Sequence, residues 1–215
     1  MMKRAFDVVF SLAGLIVTGP LLLFCALLVK LESRGPAFYL GERVGLNGKK
    51  FHIRKFRSMV VDAESMGPST TAHGDPRVTK VGSFLRKNKL DELPQLMNVL
   101  LGEMSFVGPR PQVQWAVDLY SAEELDLLTV RPGITDFASL VFRNEGELLR
   151  GSADPDRDYL EKIAPEKIRL GLLYVRTHNL WIDIRVIVAT VAAILGKDPE
   201  WCLPARHKPA REVRA

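Results

Sequence analysis

The chain has 215 residues, 47% of them hydrophobic, and its 30 lysines and arginines against 25 aspartates and glutamates give a formal net charge of +5. An apolar share of this size excludes an intrinsically disordered chain. Because Cys25 and Cys202 are the only cysteines, the sequence also excludes a disulfide-rich scaffold. The length fits one domain of ordinary size with room for an appendage.

The first predicted element is an uncharged apolar run of 22 residues, from Val8 to Val29. As one helix with a rise of about 1.5 Å per residue, it is long enough to cross the hydrocarbon core of a bilayer. A secretory signal has a shorter apolar region and a small-residue cleavage site, so we expect this segment to stay on the mature protein.

Two features of this run bear on how it meets a membrane. Gly19 and Pro20 lie at its midpoint, where a proline interrupts helical hydrogen bonding. Basic residues flank it on both sides, namely Lys3, Arg4, Lys30 and Arg34. The positive-inside rule therefore assigns no direction to a crossing. Both features suit a helix that enters the membrane, breaks at Gly19-Pro20 and returns to the same face, but the residues leave a proline-kinked single-pass anchor open as the alternative.

The next segment, residues 30–57, carries a net charge of +6, more than that of the whole chain. Its pattern predicts a β-hairpin with a two-residue turn at Asn47-Gly48 and a second strand from Lys50 to Phe56. Basic residues directly after a membrane segment attract anionic lipid headgroups, and they also bind phosphorylated ligands. We expect lipid contact here, with Lys55 and Arg57 serving a ligand, whereas a solvated strand face is the alternative.

Residues 90–102 are the most informative stretch, and they follow a polar loop at 60–78 and a helical pattern at 79–88. Apolar residues at helical spacing form one stripe, made of Leu93, Leu96, Met97, Leu100 and Leu101. Gly102 is suited to end this helix. Pro94 is tolerated only in the first turn of a helix, which places Asp91 and Glu92 at or just before the N-terminus.

An acidic pair at a helix N-terminus has two interpretations. The helix macrodipole favours a carboxylate there and should keep Asp91 ionised. An ionised carboxylate can attack phosphorus and form an acyl phosphate, while Glu92 can act as a base and the pair can hold Mg²⁺. The alternative is an ordinary N-cap followed by an acid in the first turn.

The turn that follows favours the catalytic interpretation. It reads Gly108-Pro109-Arg110-Pro111, so prolines restrict the backbone on both sides of Arg110. A guanidinium held in this way is suited to bidentate phosphate binding. A rigid corner with an exposed arginine is the alternative.

Together these segments resemble the bacterial sugar transferases, which are the monotopic phosphoglycosyl transferases, also called polyprenyl-phosphate sugar-1-phosphate transferases. The resemblance covers residues 2–196. Its motifs are the Gly19-Pro20 hairpin, Lys55-Phe56-Arg57-Ser58-Met59, Leu90-Asp91-Glu92-Leu93-Pro94-Gln95-Leu96, Gly108-Pro109-Arg110-Pro111 and Arg131-Pro132-Gly133-Ile134-Thr135. Several ordered motifs at the expected separations make the resemblance specific.

The resemblance implies a mixed α/β, mainly helical fold. Residues 1–36 would form a re-entrant membrane hairpin, residues 37–196 a catalytic domain with a small β-hairpin and an amphipathic C-terminal helix, and residues 197–215 a flexible basic tail. It also implies a monotopic protein of the cell inner membrane whose catalytic domain faces the cytoplasm. The sequence resembles the short members, which lack the multi-span region of longer ones.

The resemblance further implies transfer of a sugar-1-phosphate from a nucleotide diphosphate sugar, usually UDP-linked, to a polyprenyl phosphate such as undecaprenyl phosphate. This would be the first membrane step of surface glycan biosynthesis. By position, Asp91 is the nucleophile that attacks the β-phosphate, releases UMP and helps bind Mg²⁺, and Glu92 assists the second step. The residues implied in substrate binding are Lys55, Arg57, Arg86, Pro109, Arg110 and Pro111.

The C-terminal half carries weaker signals. Asp136 follows the last motif where many members have Gly-Trp, and its role is open, while residues 142–160 are expected to border the nucleotide-sugar pocket. The apolar run Val186–Leu195 is too short to span a bilayer. Together with Trp181 it predicts a helix that lies on the membrane or packs on the hairpin, with a buried core helix as the alternative.

The charge pattern points to phosphate partners rather than to nucleic acid. Two other classes fit part of the sequence: a membrane-anchored binding protein that uses residues 30–57 as a lipid or nucleic-acid patch, and a glycosyltransferase that releases UDP. The sequence does not name the sugar, and it leaves the oligomeric state open, with a homodimer as one alternative.

Overall fold

A computed structural model of the chain describes residues 2–67, 70–71, 74–197 and 200–202. Within them the protein is mainly helical with two small two-stranded sheets, which confirms the predicted mixed, mainly helical fold class. The helices are α1 (Met2–Glu32), α2 (Lys80–Lys87), α3 (Gln95–Leu101), α4 (Gln114–Val117), α5 (Phe137–Val141), α6 (Glu145–Leu148), α7 (Pro155–Asp158), α8 (Ala164–Thr177) and α9 (Leu180–Ile194). The strands are β1 (Phe38–Val44), β2 (Lys50–Phe56), β3 (Ser105–Val107) and β4 (Gly133–Thr135). A π-helical turn at Tyr159–Ile163 joins α7 to α8.

The apolar N-terminal run forms one continuous helix, α1, of 31 residues. Gly19 and Pro20 lie inside it, so the two arms predicted from the sequence are not present as separate helices. The Thr18 hydroxyl donates a hydrogen bond to the Gly14 carbonyl at 2.7 Å, a contact that often bends helices. By length and composition α1 can cross a membrane, and only 11% of its most apolar window is buried against the rest of the protein.

One face of α1 packs on the folded unit toward both of its ends. Asp7 and Ser11 are buried near its start, and Cys25 and Val29 near its end. Positions 7 and 25, like positions 11 and 29, are 18 residues apart, which is about five helical turns and therefore the same side of the helix. The opposite side carries the exposed apolar side chains that are typical of membrane or partner contact.

Charged side chains bind the first two turns of α1 to the folded unit. The Lys3 ammonium lies 2.6 Å from Asp183 Oδ2 on α9 and 3.0 Å from the Val107 carbonyl at the end of β3. Asp7 accepts hydrogen bonds from the Ser105 hydroxyl at 3.0 Å and from the backbone N–H of the next residue in β3 at 3.2 Å. The Arg4 guanidinium donates to the last carbonyls of α3, which lack partners within that helix.

The C-terminal end of α1 is bound in the same way. The Glu32 carboxylate accepts a hydrogen bond from the Val81 N–H on α2 at 2.9 Å. Arg57, which directly follows β2, donates to the carbonyl oxygens of the last turn and of the residues after it. Both ends of the apolar helix are therefore held by polar contacts to one folded unit.

The predicted β-hairpin is present, and its second strand has the predicted bounds. The antiparallel ladder runs from the pair Phe38 and Phe56 to the pair Val44 and Lys50. The connection is a five-residue loop rather than the expected two-residue turn, because the ladder ends at Lys50 and residues 46–48 form a 3₁₀ turn. Asn47 and Gly48 still supply the left-handed conformations that the sequence pattern indicated, with φ of 54° and 74°.

Helix α3 faces inward with a different side from the one that the apolar stripe predicts. The side chains of Met97 and Leu101 are 47% and 60% exposed, whereas Gln95 and Asn98 are buried. Asn98 explains this orientation, because its side-chain amide bonds to the backbone of β2. It accepts a hydrogen bond from the Arg54 N–H at 3.0 Å and donates one to the His52 carbonyl at 2.8 Å. Satisfying the backbone of β2 thus decides which face of α3 is buried.

The largest core cluster lies between α5, α8, α9 and β3. Its most deeply buried members are Phe137, Leu170, Tyr174, Val186 and Ala189. The inner face of α9 is part of this core. For that face the alternative of a buried core helix is therefore confirmed. Its outer face is exposed and apolar, as shown by Trp181, Val188, Val191 and Ile194.

The predicted tail at 197–215 is described only in part. Residues 200–202 form a 3₁₀ turn, and Cys202 is buried in the core cluster, so this short piece belongs to the folded unit. The other tail residues after Lys197 lie outside the described residues.

We predict that Asp183→Asn destabilises the protein by about 2–4 kcal/mol, because it leaves the Lys3 ammonium without its buried counter-charge. The melting temperature in detergent should fall by several degrees. A matched control is Glu123→Gln, which breaks an ion pair with Arg176 that is exposed on both sides and should change stability by less than about 1 kcal/mol. Equal melting temperatures for the two variants would contradict the importance of this contact.

Candidate active site

The two acidic residues singled out in the sequence lie in a short turn in front of α3. Leu90–Glu92 form a 3₁₀ turn. Pro94 occupies the N-cap position of α3, as expected because proline is tolerated only at the start of a helix. Lys89 enters this turn in the left-handed conformation, with φ of 56°. Asp91 is 8% exposed, so the turn holds a buried carboxylate close to the helix start.

Glu92 brings together cations from two other parts of the fold. Its Oε1 atom lies 2.8 Å from the Lys55 ammonium on β2 and 2.6 Å from the Arg110 guanidinium, which follows β3. Burial alone would raise the pKa of Glu92, but the charges and hydrogen bonds of Arg110 and Lys55 hold it well below its usual range. Glu92 is therefore ionised and engaged by two cations.

Asp91 is in a different electrostatic situation. Burial, followed by the negative charge of Glu92, raises the pKa of Asp91 against the opposing charges of Lys55, Arg86 and Lys89. That Asp91 is ionised stays a prediction, because desolvation and the neighbouring cations act on its carboxylate in opposite directions. Its carboxylate makes no hydrogen bond or ion pair with any described residue, which leaves it available to a reactant.

Arg86 approaches the acidic turn from α2. Its Nε atom donates to the Ser58 hydroxyl at 2.8 Å, and its charge acts on Asp91. Burial lowers the pKa of Lys55. The charge of Arg110 lowers it further, whereas Glu92 raises it. The structure thus gathers Lys55, Arg86 and Arg110 around the two carboxylates, as the sequence predicts.

The loop that carries Arg110 is positioned by a close approach of two chain segments. A side chain on Gly108 would lie 2.2 Å from the Arg131 carbonyl, and one on Gly133 would lie 2.1 Å from the Gly108 nitrogen. Only glycine fits both positions, and this lets the Gly108 N–H bond to the Thr135 carbonyl at 3.1 Å. Pro109 and Pro111 then lie on either side of Arg110 at the end of β3.

Three features near the acidic turn were not predicted. Gln95 is only 1% exposed, yet neither polar atom of its side chain has a hydrogen-bond partner among the described residues. A cavity of about 230 Å³ lies beside Arg110, and Asp136, Tyr159 and Lys167 line it. Lys167 is one lysine on an ordinary helix and gave no sequence signal.

Of the segment 142–160, which was expected to border a pocket, residues 159 and 160 line this cavity.

Comparison with known proteins identifies the family of this chain. The model of the bacterial sugar transferase family matches residues 1–197. The chain belongs to this family.

Two of three similar proteins have names that describe the same type of reaction. The chain is 37% identical over 196 residues to a UDP-N-acetylgalactosamine-undecaprenyl-phosphate N-acetylgalactosaminephosphotransferase of Aeromonas hydrophila, which covers 90% of this chain and 43% of that protein. It is 38% identical over 198 residues to a UDP-glucose:undecaprenyl-phosphate glucose-1-phosphate transferase of Escherichia coli, with 89% and 39% covered. An exopolysaccharide production protein of Rhizobium leguminosarum is 40% identical over 206 residues, with 91% and 96% covered. The chain thus spans about two-fifths of the first two relatives and nearly all of the third.

One predicted ligand-binding residue of this sugar transferase lies elsewhere. The Arg57 guanidinium donates to the carbonyl oxygens of Val29, Ser33 and Arg34 and to the Ser33 hydroxyl, at 2.7 to 3.4 Å. Lys55 and Arg57 would share a face if β2 continued, but the strand ends at Phe56 and the alternation ends with it. Arg57 is therefore a cap of the α1 C-terminus rather than part of the phosphate cluster.

We predict that Arg57→Lys lowers stability by about 1–3 kcal/mol without weakening donor binding, since one ammonium cannot reach the four oxygens that the guanidinium contacts. Thermal unfolding and the donor KM of the folded fraction are the measurements. Arg54→Lys is the matched control, because Arg54 makes a single, partly exposed ion pair with Glu103. A tenfold rise in donor KM with unchanged stability would instead place Arg57 in substrate binding.

Proposed function

We propose that the protein transfers a sugar-1-phosphate from a nucleotide diphosphate sugar to a polyprenyl phosphate, with a UDP-sugar and undecaprenyl phosphate as the substrates. The observation that carries this proposal is the buried, unpartnered carboxylate of Asp91 within a cluster of three cations. Such a cluster suits a diphosphate, because phosphoryl transfer is catalysed mainly by positioning and by charge stabilisation. The names of the relatives support the choice of donor and acceptor.

In the first step the Asp91 carboxylate attacks the β-phosphorus of the donor. A new oxygen–phosphorus bond forms, and the bond between the β-phosphorus and the bridging oxygen breaks. The electron pair stays on that oxygen, which leaves as part of UMP, and the sugar phosphate is held covalently on Asp91. Lys55, Arg86 and Arg110 stabilise the negative charge that develops on the phosphate oxygens.

In the second step a phosphate oxygen of the polyprenyl acceptor attacks the same phosphorus. The bond to Asp91 breaks, the carboxylate is regenerated, and the polyprenyl diphosphate sugar is released. A phosphate monoester has a second pKa of about 6, so at neutral pH the acceptor is already largely deprotonated. Glu92, whose Oε1 atom contacts both Lys55 and Arg110, then serves to position these two cations rather than to act as a base.

The residues present fit a Mg²⁺ ion. Proteins commonly bind Mg²⁺ through one or two carboxylates together with substrate phosphates, and Asp91 offers a carboxylate without a partner in the described part of the chain. The Gln95 amide, which is buried without a hydrogen-bond partner among those residues, lies in the first turn of α3, just after the acidic turn. When bound there with the donor, Mg²⁺ would neutralise phosphate charge.

We further propose that α1 enters and leaves the membrane on one face, with the catalytic unit on the cytoplasmic side of the inner membrane. Lys3, Arg4 and Asp7 bind the start of α1 to the same unit that Glu32 binds at its end. In a single crossing the start would lie across the bilayer from this unit, and these three contacts would be lost. Pro20 is exposed on α1, so a bend there would turn both arms toward the folded unit.

The proposed reaction predicts the nucleotide product. With Mg²⁺, a UDP-sugar and undecaprenyl phosphate, the wild-type protein should release UMP, and Asp91→Asn should release none. Omitting the acceptor should leave label from a β-³²P donor on the wild-type protein only. The variant should melt at the wild-type temperature or higher, because an amide replaces a carboxylate that burial disfavours.

Asp126→Asn, at an exposed position, is the control for this assay and should behave as wild type. Release of UDP would indicate transfer of the sugar without its phosphate. Full activity in Asp91→Asn would remove the nucleophile from the mechanism.

The membrane proposal predicts the location of the N-terminus. An epitope placed before Met1 should be protected in intact spheroplasts and accessible after lysis. The same epitope inserted in the exposed loop at Gly48 is the control for the catalytic unit. If the N-terminal epitope is accessible in intact spheroplasts while the loop epitope is protected, α1 crosses the membrane.

A further inference from the structure

We infer that the cavity beside Arg110 binds a hydroxylated ring of the donor, and that Asp136 and Lys167 recognise the hydroxyl groups of this ring. The inference rests on the proposed function, since it concerns the part of the donor that lies next to the reacting diphosphate. The cavity measures about 230 Å³ and lies between the Arg110 loop, the start of α5 and the first turns of α8. A cavity of this size has room for a sugar or nucleoside ring.

Arg110 connects this cavity to the reactive cluster. Its guanidinium contacts Glu92, the neighbour of Asp91, and the same residue lines the cavity wall. A ring in the cavity would therefore be one side chain away from a phosphate at Asp91. This adjacency is what a donor requires, because its hexose and its ribose lie immediately on either side of the diphosphate.

Asp136 presents an unsatisfied acceptor at the cavity wall. The residue is 2% exposed, and its Oδ1 atom accepts a hydrogen bond from the Ser139 N–H at 2.6 Å, which caps α5. Its Oδ2 atom has no hydrogen-bond partner in the described part of the chain. A carboxylate oxygen that lines the cavity without a protein donor can accept a hydrogen bond from a ligand hydroxyl or N–H.

Lys167 supplies the complementary donors. Its ammonium forms an ion pair with Glu145 and lies 5.0 Å from the centre of the Tyr159 ring. An ammonium has three N–H donors, and the one hydrogen bond to Glu145 leaves donors free for ligand oxygens. Acceptor and donor groups on one cavity match hydroxyl groups, which accept and donate at once.

The remaining wall suits the faces of a ring. Leu127, Tyr159 and Ile168 line the cavity with apolar or aromatic surface. Ligand pockets of this kind combine apolar walls with a few polar groups that fix orientation. Both the hexose and the nucleoside of a UDP-sugar carry ring hydroxyls, and the experiment below separates these two sources.

Asp136→Asn is the first test, because the amide keeps the α5 cap but removes the charged acceptor. The donor KM should rise tenfold or more, as expected when a charged hydrogen bond to the ligand is lost, while the KM for undecaprenyl phosphate and the melting temperature stay within error. Asp154→Asn is the matched control, since Asp154 also caps a helix, through the Arg157 N–H, but lies outside the cavity. That variant should keep the wild-type donor KM.

Two further measurements identify the ring. If the cavity holds the hexose, the loss in Asp136→Asn should differ between UDP-glucose and UDP-galactose and between their N-acetylamino forms, and inhibition by UMP should be unchanged. If the cavity holds the nucleoside, all donors should be affected alike, and UMP inhibition should weaken by the same factor. Either result supports a donor ring at Asp136.

An unchanged donor KM together with unchanged UMP inhibition would overturn the inference, as would an effect confined to the acceptor. If Asp136→Asn fails to fold, Lys167→Gln provides the same measurements from the other side of the cavity. A wild-type protein that turns over no UDP-sugar would refute the proposed function itself. Turnover by the wild type with an unaffected variant would refute only the assignment of the cavity.

Discussion

The ion pairs of Glu92 with Lys55 and Arg110 are the contacts on which the arrangement of the site depends. They join three segments that are far apart in the chain, and taking such charges out of water is costly unless each is well paired. The surrounding fold supplies that pairing: Asn98 fixes α3 against β2, and the close approach at Gly108 fixes the Arg110 loop. A cluster that concentrates positive charge is stable in the free protein because Glu92 is part of it, and a diphosphate can then add to it.

The same requirement links the reactive turn to the membrane helix. Arg4 donates to the final carbonyls of α3, and the Gly14 backbone approaches Leu96 at the other end of α3 so closely that a side chain at position 14 would lie 3.2 Å from it. Asp91 lies in the turn just before α3, so α1 contacts the helix that follows the proposed nucleophile. If α1 lies in the lipid, the depth of the helix also sets the depth of the site, which suits an acceptor whose phosphate lies at the membrane surface.

Local signals and tertiary contacts explain what the sequence could predict. Pro94 and Gly102 mark the start and end of α3 through their own backbone restrictions, so the acidic turn was placed correctly from sequence. Arg57 was assigned to ligand binding from its charge and its place in a family motif, but it lies just beyond the end of β2, where its guanidinium contacts carbonyl oxygens at the end of α1. The apolar stripe does not by itself identify the inner face of α3, since a buried asparagine bound to a strand backbone outweighs it.

The buried carboxylates show where the protein leaves room for ligands. Among the described residues the buried aspartates are Asp7, Asp91, Asp136 and Asp183. Asp7 and Asp183 are paired with groups of the protein itself, and both hold α1 in place. Asp91 has no partner in the described part of the chain, and Asp136 has one oxygen without a partner there. These two residues are associated with Arg110, Asp91 through the cation cluster around Glu92 and Asp136 through the adjoining cavity. Carboxylate oxygens without protein partners are available to a ligand, so their position around one arginine is a physical reason to expect the donor there.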